Sequence, residues 1–126
     1  MTEMLEHVNF TVKNPETTAA WMKDVFGWHV RWSGPGMETG RTVHVGTDAH
    51  YVALFTFGDK LHAREDPYRT AGGLNHIAVV TKDLDGVADR VRKAGFTVGE
   101  HHDYEPGRRF YFHDNDEIEY EVVQYD

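Results

Sequence analysis

The sequence predicts an α+β fold of two repeated β-α-β-β-β modules with their helices on one side. Residues 73–96 (GLNHIAVVTKDLDGVADRVRKAGF) repeat the pattern of residues 6–28 (EHVNFTVKNPETTAAWMKDVFGW). Each copy contains a strand, a helix cap, a helix and a glycine stop. An internal repeat of this length indicates one structural module that occurs twice. The pairs that share an offset of 69 are His7 and His76, Val8 and Ile77, Phe10 and Val79, Lys13 and Lys82, and Asn14 and Asp83.

Both helices are predicted from a capping residue, an apolar face and a terminal glycine. Asn14 followed by Pro15 marks the start of the first helix, which we expect to end near Phe26. Asp83 caps the second helix, and Gly95 supplies a left-handed C-cap after it. The residues that we expect to face the core are Ala19, Met22 and Val25 in the first helix and Leu84, Val87, Ala88 and Val91 in the second.

Alternating apolar and polar residues, bounded by turn residues, predict the strands. We expect strands at 5–12, 28–32, 41–45 and 51–57 in module one, and at 76–80, 97–101, 109–113 and 118–124 in module two. Residues 33–40 read as a loop and residues 58–72 as a linker. The chain is therefore expected to be a single domain, with module one at 1–57 and module two at 73–126.

Composition excludes several functional classes. The 126 residues suffice for one domain with a core, and the absence of cysteine excludes disulfides and thiolate chemistry. The net charge of −8 argues against nucleic acid and anionic membranes as partners. There is no apolar run long enough to span a bilayer and no signal-peptide pattern, so we expect a cytoplasmic location.

The pattern resembles the vicinal oxygen chelate superfamily, which contains glyoxalase I, extradiol dioxygenases, fosfomycin-resistance proteins and bleomycin-resistance proteins. The motifs that carry the resemblance are the paired strand–helix starts at His7 and His76 and the ending RRFYFHDNDEIEYEVVQ. In one departure, Glu117 occupies a turn position where the superfamily usually has glycine. The resemblance implies a curved mixed β-sheet cup with helices outside, and a small-molecule substrate.

The resemblance also implies a metal site formed by His7, His76 and Glu121. At an offset of 68, the module-one counterpart of Glu121 is Ala53, which cannot bind metal. This counts against a true glyoxalase, because the resemblance to glyoxalase I implies four metal ligands, with a protein ligand at both final-strand positions. Two histidines and one carboxylate leave open positions for substrate and oxygen and favour Fe(II), with Mn, Zn or Ni as other candidates.

Further site residues follow from strand register and the family pattern. Tyr111, ten positions before Glu121, is the candidate catalytic acid or hydrogen-bond donor. Asn9 lies on the polar face of the first strand, and Arg41 and Arg109 are candidates for holding an anionic substrate. Glu119 is interpreted as a solvated residue of an edge strand. His102 and His113 are possible bases near the rim of the cup.

Three functional classes remain open. The first, favoured by the three-ligand set and Tyr111, is a metal-dependent enzyme of the extradiol dioxygenase type. The second is a lyase, isomerase or thiol transferase of the glyoxalase or fosfomycin-resistance type. The third is a metal-free drug-binding protein similar to bleomycin-resistance proteins. A chain with only two modules also predicts a homodimer, in which His7 of one copy joins His76 and Glu121 of the other.

Overall fold

The computed structural model describes all 126 residues, which form two compact units at Met1–Ala63 and Arg64–Asp126. Each unit contains one helix and one four-stranded sheet, which confirms the predicted α+β fold of two β-α-β-β-β modules. The first unit contains β1 (His7–Thr11), α1 (Pro15–Phe26), β2 (His29–Pro35), β3 (Arg41–Gly46) and β4 (Tyr51–Thr56). The second contains β5 (Ile77–Val80), α2 (Leu84–Lys93), β6 (His102–Tyr104), β7 (Gly107–His113) and β8 (Glu119–Tyr125).

The first unit has the strand order β1-β4-β3-β2, in which only the β1–β4 pair is parallel. The Asn14 side chain caps α1 by accepting a hydrogen bond from the Thr17 N–H at 3.0 Å. Gly27 ends the helix in the left-handed conformation, at φ 73°. The helix buries one face against β3 and β4, and its buried residues are Pro15, Thr18, Ala19, Trp21, Met22 and Val25.

The second unit repeats this arrangement with the strand order β5-β8-β7-β6, again with one parallel pair. The Asp83 carboxylate accepts a hydrogen bond from the Gly86 N–H at 3.1 Å and caps α2. As predicted, Gly95 has a positive φ of 93° after the helix. The four residues predicted to face the core from α2 are all buried: Leu84, Val87, Ala88 and Val91. Neither α1 nor α2 has the length and apolar character that a membrane-spanning helix requires.

Three local predictions were wrong. The segment 97–101 is not a strand; it passes β7 closely at Gly99, whose N–H donates to the Tyr111 carbonyl at 2.8 Å, and regular pairing begins only at His102. Strand β2 extends into the predicted loop as far as Pro35. Glu119 does not lie on an edge strand, because β8 pairs with β5 on one side and β7 on the other.

The turn between β7 and β8 is organised by the buried carboxylate of Asp114. It accepts hydrogen bonds from the N–H groups of Asp116 and Ile118, at 2.9 and 3.0 Å, and from the Tyr120 hydroxyl at 3.1 Å. Burial raises the pKa of Asp114, although the hydrogen bonds from the two N–H groups act in the opposite direction. Glu117 adopts a left-handed conformation at φ 63°, which explains why glycine is the usual residue here.

Candidate functional site

Three side chains from neighbouring strands meet on one face of the second sheet. This face, which α2 does not cover, is called the open face below. His76 immediately precedes β5, Glu121 lies in the central strand β8, and Tyr111 lies opposite Glu121 in β7. His76 Nε2 is 3.1 Å from Glu121 Oε1. The alternation of β8 sends Tyr120 toward the helix side, so Glu121 projects from the open face although its side chain is only 10% exposed.

Arg109, two residues before Tyr111 on β7, completes this cluster. Its Nη1 donates to Glu121 Oε2 at 3.0 Å, and its guanidinium lies over the Tyr104 ring, 4.9 Å from the centroid. The Nε and Nη2 atoms are buried and have no hydrogen-bond partner within the protein. Because buried donors without partners are costly, the guanidinium of Arg109 is not fully satisfied by the protein.

Tyr111 stands edge-on to the imidazole of His76, with ring centroids 6.0 Å apart and an interplanar angle of 88°. Burial raises the pKa of the Tyr111 hydroxyl, and the negative charge of Glu121 raises it further. The phenol therefore remains protonated near neutral pH and can donate a hydrogen bond or a proton.

Glu119, which the sequence did not assign to the site, lies near the Nδ1 side of His76 and is bound by Tyr68. The Tyr68 hydroxyl donates to Glu119 Oε2, and this hydrogen bond is the main reason that the pKa of Tyr68 is raised to about 12. The same carboxylate oxygen is 3.9 Å from His76 Nδ1, too far for a hydrogen bond, and Nδ1 is buried without a partner. Strand alternation places Glu119 beside Glu121, but no local pattern points to Tyr68.

In the first unit, His7 belongs to a cluster of stacked rings. The His7 ring stacks on Tyr51 with 4.8 Å between centroids, and His44 stacks on Tyr51 at the same distance. Glu6 links the cluster, since its Oε1 is 2.9 Å from His7 Nδ1 and accepts from the Tyr51 hydroxyl at 3.1 Å. His44 lies opposite Ala53 as Tyr111 lies opposite Glu121, an equivalence that the strand pairing shows but the sequence offset of 68 does not, because that offset leads from Tyr111 to Val43.

The electrostatics of this cluster keep His44 uncharged near neutral pH. Burial lowers the pKa of His44, and the neighbouring charges of His7 and Arg31 lower it further. Hydrogen bonds from His7 and Tyr51 lower the pKa of Glu6, which holds the carboxylate in its charged form. A neutral imidazole and a charged carboxylate therefore flank His7 and Tyr51.

The remaining predicted residues fall in different places. Asn9 lies on β1 opposite Ala53, on the same strand face as His7. Arg41 instead lies on the helix side of β3 and pairs with Glu16 of α1, with Nε and Nη2 each 2.9 Å from Oε1. The structure therefore does not bring Arg41 together with His7 or Asn9.

His102 and His113 lie at opposite ends of the β7 region. The centroid of the His102 ring is 6.3 Å from that of the Tyr111 ring. His102, on β6, is the cross-strand partner of Arg109 on β7. His113 is exposed at the end of β7, opposite Glu119. Of the two, His102 is thus in contact with the cluster around Tyr111.

The pair formed by His76 and Glu121 suits a divalent cation. Imidazole nitrogen and carboxylate oxygen are common ligands, and their separation of 3.1 Å is near the ~3 Å expected between adjacent ligands of a six-coordinate ion. The buried Nδ1 of His76 that lacks a partner also indicates that this imidazole is not fully satisfied by the protein. No group of three His, Cys, Asp or Glu side chains in the structure is placed to hold a metal ion.

A comparison with protein-family models identifies one family. The family model described as the glyoxalase/bleomycin resistance protein/dioxygenase superfamily matches residues 4–122. A glyoxylase/bleomycin resistance protein/dioxygenase domain from Frankia sp. EAN1pec is 22% identical, with a TM-score of 0.85, over 100% of this chain and 94% of that one. A comparison with curated proteins gives no match.

Fosfomycin resistance proteins are also among the similar structures. FosX from Mesorhizobium loti is 28% identical, with a TM-score of 0.72, over 98% of this chain and 92% of that one. FosX from Listeria monocytogenes, solved in complex with Mn(II) and a sulfate ion, is 21% identical, with a TM-score of 0.73, over 100% of this chain and 95% of that one.

Proposed function

Because the chain belongs to the glyoxalase/bleomycin resistance protein/dioxygenase superfamily, we propose that it is a divalent-cation-dependent enzyme acting on a small molecule. The proposed cation ligands are His7, His76 and Glu121, and the substrate binds the cation through two neighbouring oxygens. The observation that carries the proposal is the contact of His76 Nε2 with Glu121 Oε1 at 3.1 Å, beside the Tyr111 phenol. The Mn(II) complex of Listeria FosX supports a divalent ion.

The protein's own groups have distinct roles in this proposal. A bound cation supplies Lewis-acid stabilisation of negative charge that develops on a substrate oxygen. Tyr111 donates a hydrogen bond or a proton to that oxygen, since its raised pKa keeps the phenol protonated. Arg109 orients an anionic group of the substrate through Nε and Nη2, while its Nη1 donates to Glu121 Oε2.

Two reaction types fit this constellation. An extradiol-dioxygenase-like reaction needs two open cation positions, which a ligand set of two histidines and one carboxylate leaves available. In a reaction of the fosfomycin-resistance type, water or a thiol would form a bond to a carbon of a small oxyanion-bearing substrate as a carbon–oxygen bond of that substrate breaks. The departing oxygen would keep the electron pair and take a proton from Tyr111, and the proton of the nucleophile would pass to solvent. The two free donors of Arg109 favour the second type, because a simple catechol offers no separate anion to satisfy them. The 28% identity to Mesorhizobium FosX supports the same choice.

Cation binding is the first test. Titration of metal-free protein with Mn(II), followed by electron paramagnetic resonance, should show one tight site per chain. Glu121→Gln should weaken it by at least about tenfold, since a neutral amide replaces the anionic ligand. The matched control is Glu100→Gln, which changes an exposed glutamate outside every helix and strand and should bind as the parent does. No tight Mn(II), Fe(II), Zn or Ni binding by the parent would refute the proposal and favour a metal-free drug-binding protein.

The reaction type is then decided by parallel assays on the cation-loaded protein. Fosfomycin with water or a thiol should be consumed if the second type is correct, with no oxygen uptake. Oxygen uptake that depends on added catechols would instead establish the dioxygenase type. In either assay Tyr111→Phe should lower the rate constant by about 100-fold while Mn(II) affinity is kept, as expected for loss of a positioned acid.

We also propose a homodimer in which His7 from one copy joins His76 and Glu121 of the other. The basis is chemical: the second unit offers two ligands of the required type at one place, and the third proposed ligand belongs to the first unit. Symmetric dimers are the commonest assemblies, and their twofold axis would generate two equivalent shared sites.

A further inference from the structure

A cavity separate from the clusters around His7 and His76 lies between α1 and the strands β2 and β3. Its volume is about 500 Å³, within the range of small-molecule sites. Its apolar lining includes Ala19 and Ala20 of α1, Val30 of β2 and Val43 of β3. Val30 is 52% exposed and Ala20 is also exposed, so part of this apolar lining faces solvent. Exposed apolar surface in a concave site is typical of a ligand pocket.

The cavity lies on the helix side of the first sheet. Val30 pairs with Val45, and Val43 pairs with Leu54, all on the face that α1 covers. His44, next to Val43, projects to the opposite face and stacks on Tyr51. The sheet itself therefore separates this cavity from the cluster around His7, and a ligand here would leave that cluster accessible.

The charged residues of the cavity wall give it a net positive character. Arg41 and Glu16 neutralise each other through a pair in which both Arg41 Nε and Nη2 are 2.9 Å from Glu16 Oε1. Lys23, in the last turn of α1, lines the same cavity and forms no salt bridge. A free ammonium group next to an apolar surface is notable in a chain whose net charge is −8.

We infer that this cavity binds a small amphipathic anion, a carboxylate with an aliphatic or aromatic body. The body packs against Ala20, Val30 and Val43, and the carboxylate pairs with the Lys23 ammonium beside Arg41. Charge complementarity selects this class of occupant, because Lys23 is the one cationic side chain of the cavity wall that is not already paired, and an apolar body covers the exposed Val30. The site is independent of the proposed cation chemistry.

The test is a proton–nitrogen NMR titration of the full chain with octanoate and, in parallel, with 1-octanol. Octanoate should shift the amides of α1, β2 and β3 and leave those next to His7 and His76 unchanged. Lys23→Gln should weaken octanoate binding about three- to fivefold, the scale of a solvent-exposed ion pair, without changing 1-octanol binding. Lys60→Gln, which changes an exposed lysine outside the cavity, is the matched control and should bind both ligands as the parent does.

A second variant tests the location. Ala20→Phe places a ring into the cavity from an exposed helix position and should abolish binding of both ligands while the NMR spectrum shows an intact fold. Unchanged octanoate binding by Ala20→Phe, or amide shifts confined to the open face, would overturn the inference. A change in dimerisation by Ala20→Phe, seen by sedimentation without loss of octanoate shifts, would also overturn it by assigning the groove to a second copy of the chain.

Discussion

The phenol of Tyr111 lies directly opposite the carboxylate of Glu121 on neighbouring antiparallel strands. The equivalent register positions in the first unit are occupied by His44 and Ala53, so the repeat carries different chemistry in its two copies. Ala53 offers a methyl group where Glu121 offers an anion. The proposed anionic ligand and the protonated phenol are thus both in the second unit, whereas the equivalent positions of the first unit hold an imidazole and a methyl group.

Arg109 should oppose cation binding at Glu121. Its guanidinium donates to Glu121 Oε2 at 3.0 Å, so a divalent ion at the same carboxylate meets a positive charge nearby. We expect Arg109→Gln to tighten Mn(II) binding roughly tenfold, which corresponds to about 1.4 kcal/mol of removed repulsion. Electron paramagnetic resonance titration measures the affinity.

Arg108→Gln is the control for this change. Arg108 is the adjacent residue on β7, and its Nη1 is 3.8 Å from Asp85 of α2, away from Glu121. It should leave the Mn(II) affinity unchanged. Weaker binding by Arg109→Gln would show that the arginine is needed to position Glu121 and would contradict the prediction.

Mixed dimers should reveal whether the cation site is shared. His7→Ala and Glu121→Ala each remove one proposed ligand and should abolish tight Mn(II) binding alone. When the two variants are unfolded together and refolded, heterodimers with shared sites regain one intact site, so about a quarter of the parent capacity should return. If no tight Mn(II) binding returns although sedimentation confirms that dimers have formed, all three ligands would belong to one chain.

The repeat explains why so much of the architecture could be predicted from the sequence. The pairs at an offset of 69 located both strand–helix starts, and Asn14 and Asp83 cap their helices as expected. Both capping interactions are local, within three residues of the helix start. The strand predicted at 97–101 was wrong because its alternation is that of a strand, whereas only Gly99 in this segment makes a backbone hydrogen bond to β7 and the ladder begins at His102.

The site was predictable only where the family resemblance or the repeat carried the information. The register of the superfamily pattern singled out Glu121 and Tyr111, the repeat singled out His76, and the structure brings these three together. The Arg41 side chain could not be located in this way, because its partner Glu16 is 25 residues away on α1. The Tyr68 contact with Glu119 spans 51 residues and leaves no periodic trace in the sequence.

His44 should titrate below its ordinary pKa of 6.5. Burial is the main cause, and His7 is the next, so His7→Gln should raise the pKa of His44 part of the way back. His29→Gln, which removes an exposed histidine paired with Asp48, should leave it unchanged. The measurement is the imidazole proton shift against pH, assigned with His44→Gln.

The lowered pKa of His44 also makes the stability of the protein depend on pH in a defined direction. A lowered folded-state pKa means that the unfolded chain binds the proton more readily. The contribution of His44 to the free energy of unfolding is therefore full above pH 6.5 and is lost as the pH falls through the lowered value. His44→Gln should remove this part of the pH dependence. If the free energy of unfolding of His44→Gln falls below pH 6.5 as steeply as that of the parent, the assignment to His44 is contradicted.

Asp114→Ala should lower the free energy of unfolding by about 2–4 kcal/mol, because it leaves several buried donors unsatisfied. The carboxylate accepts from the N–H groups of Asp116 and Ile118 and from the hydroxyl of the fully buried Tyr120. Urea denaturation measures the change. Asp103→Ala, at an exposed position of β6, should change stability by less than about 0.5 kcal/mol. Equal effects of the two substitutions would refute the role assigned to Asp114.

Glu117→Gly should stabilise the protein, an unusual outcome for a glycine substitution. Glu117 has a φ of 63°, where a side chain costs about 1–2 kcal/mol and glycine is unstrained. Against this, glycine has more conformational entropy to lose on folding, which costs about 0.5–1 kcal/mol of stability. The free energy of unfolding from urea denaturation should therefore rise by a net amount of about 0.5–1 kcal/mol. Glu100→Gly is the matched control: this exposed glutamate has no positive φ, so only the unfolded-state effect remains and stability should fall. A loss of stability in both variants would show that the turn holds Glu117 without strain, and the superfamily's glycine would then need another explanation.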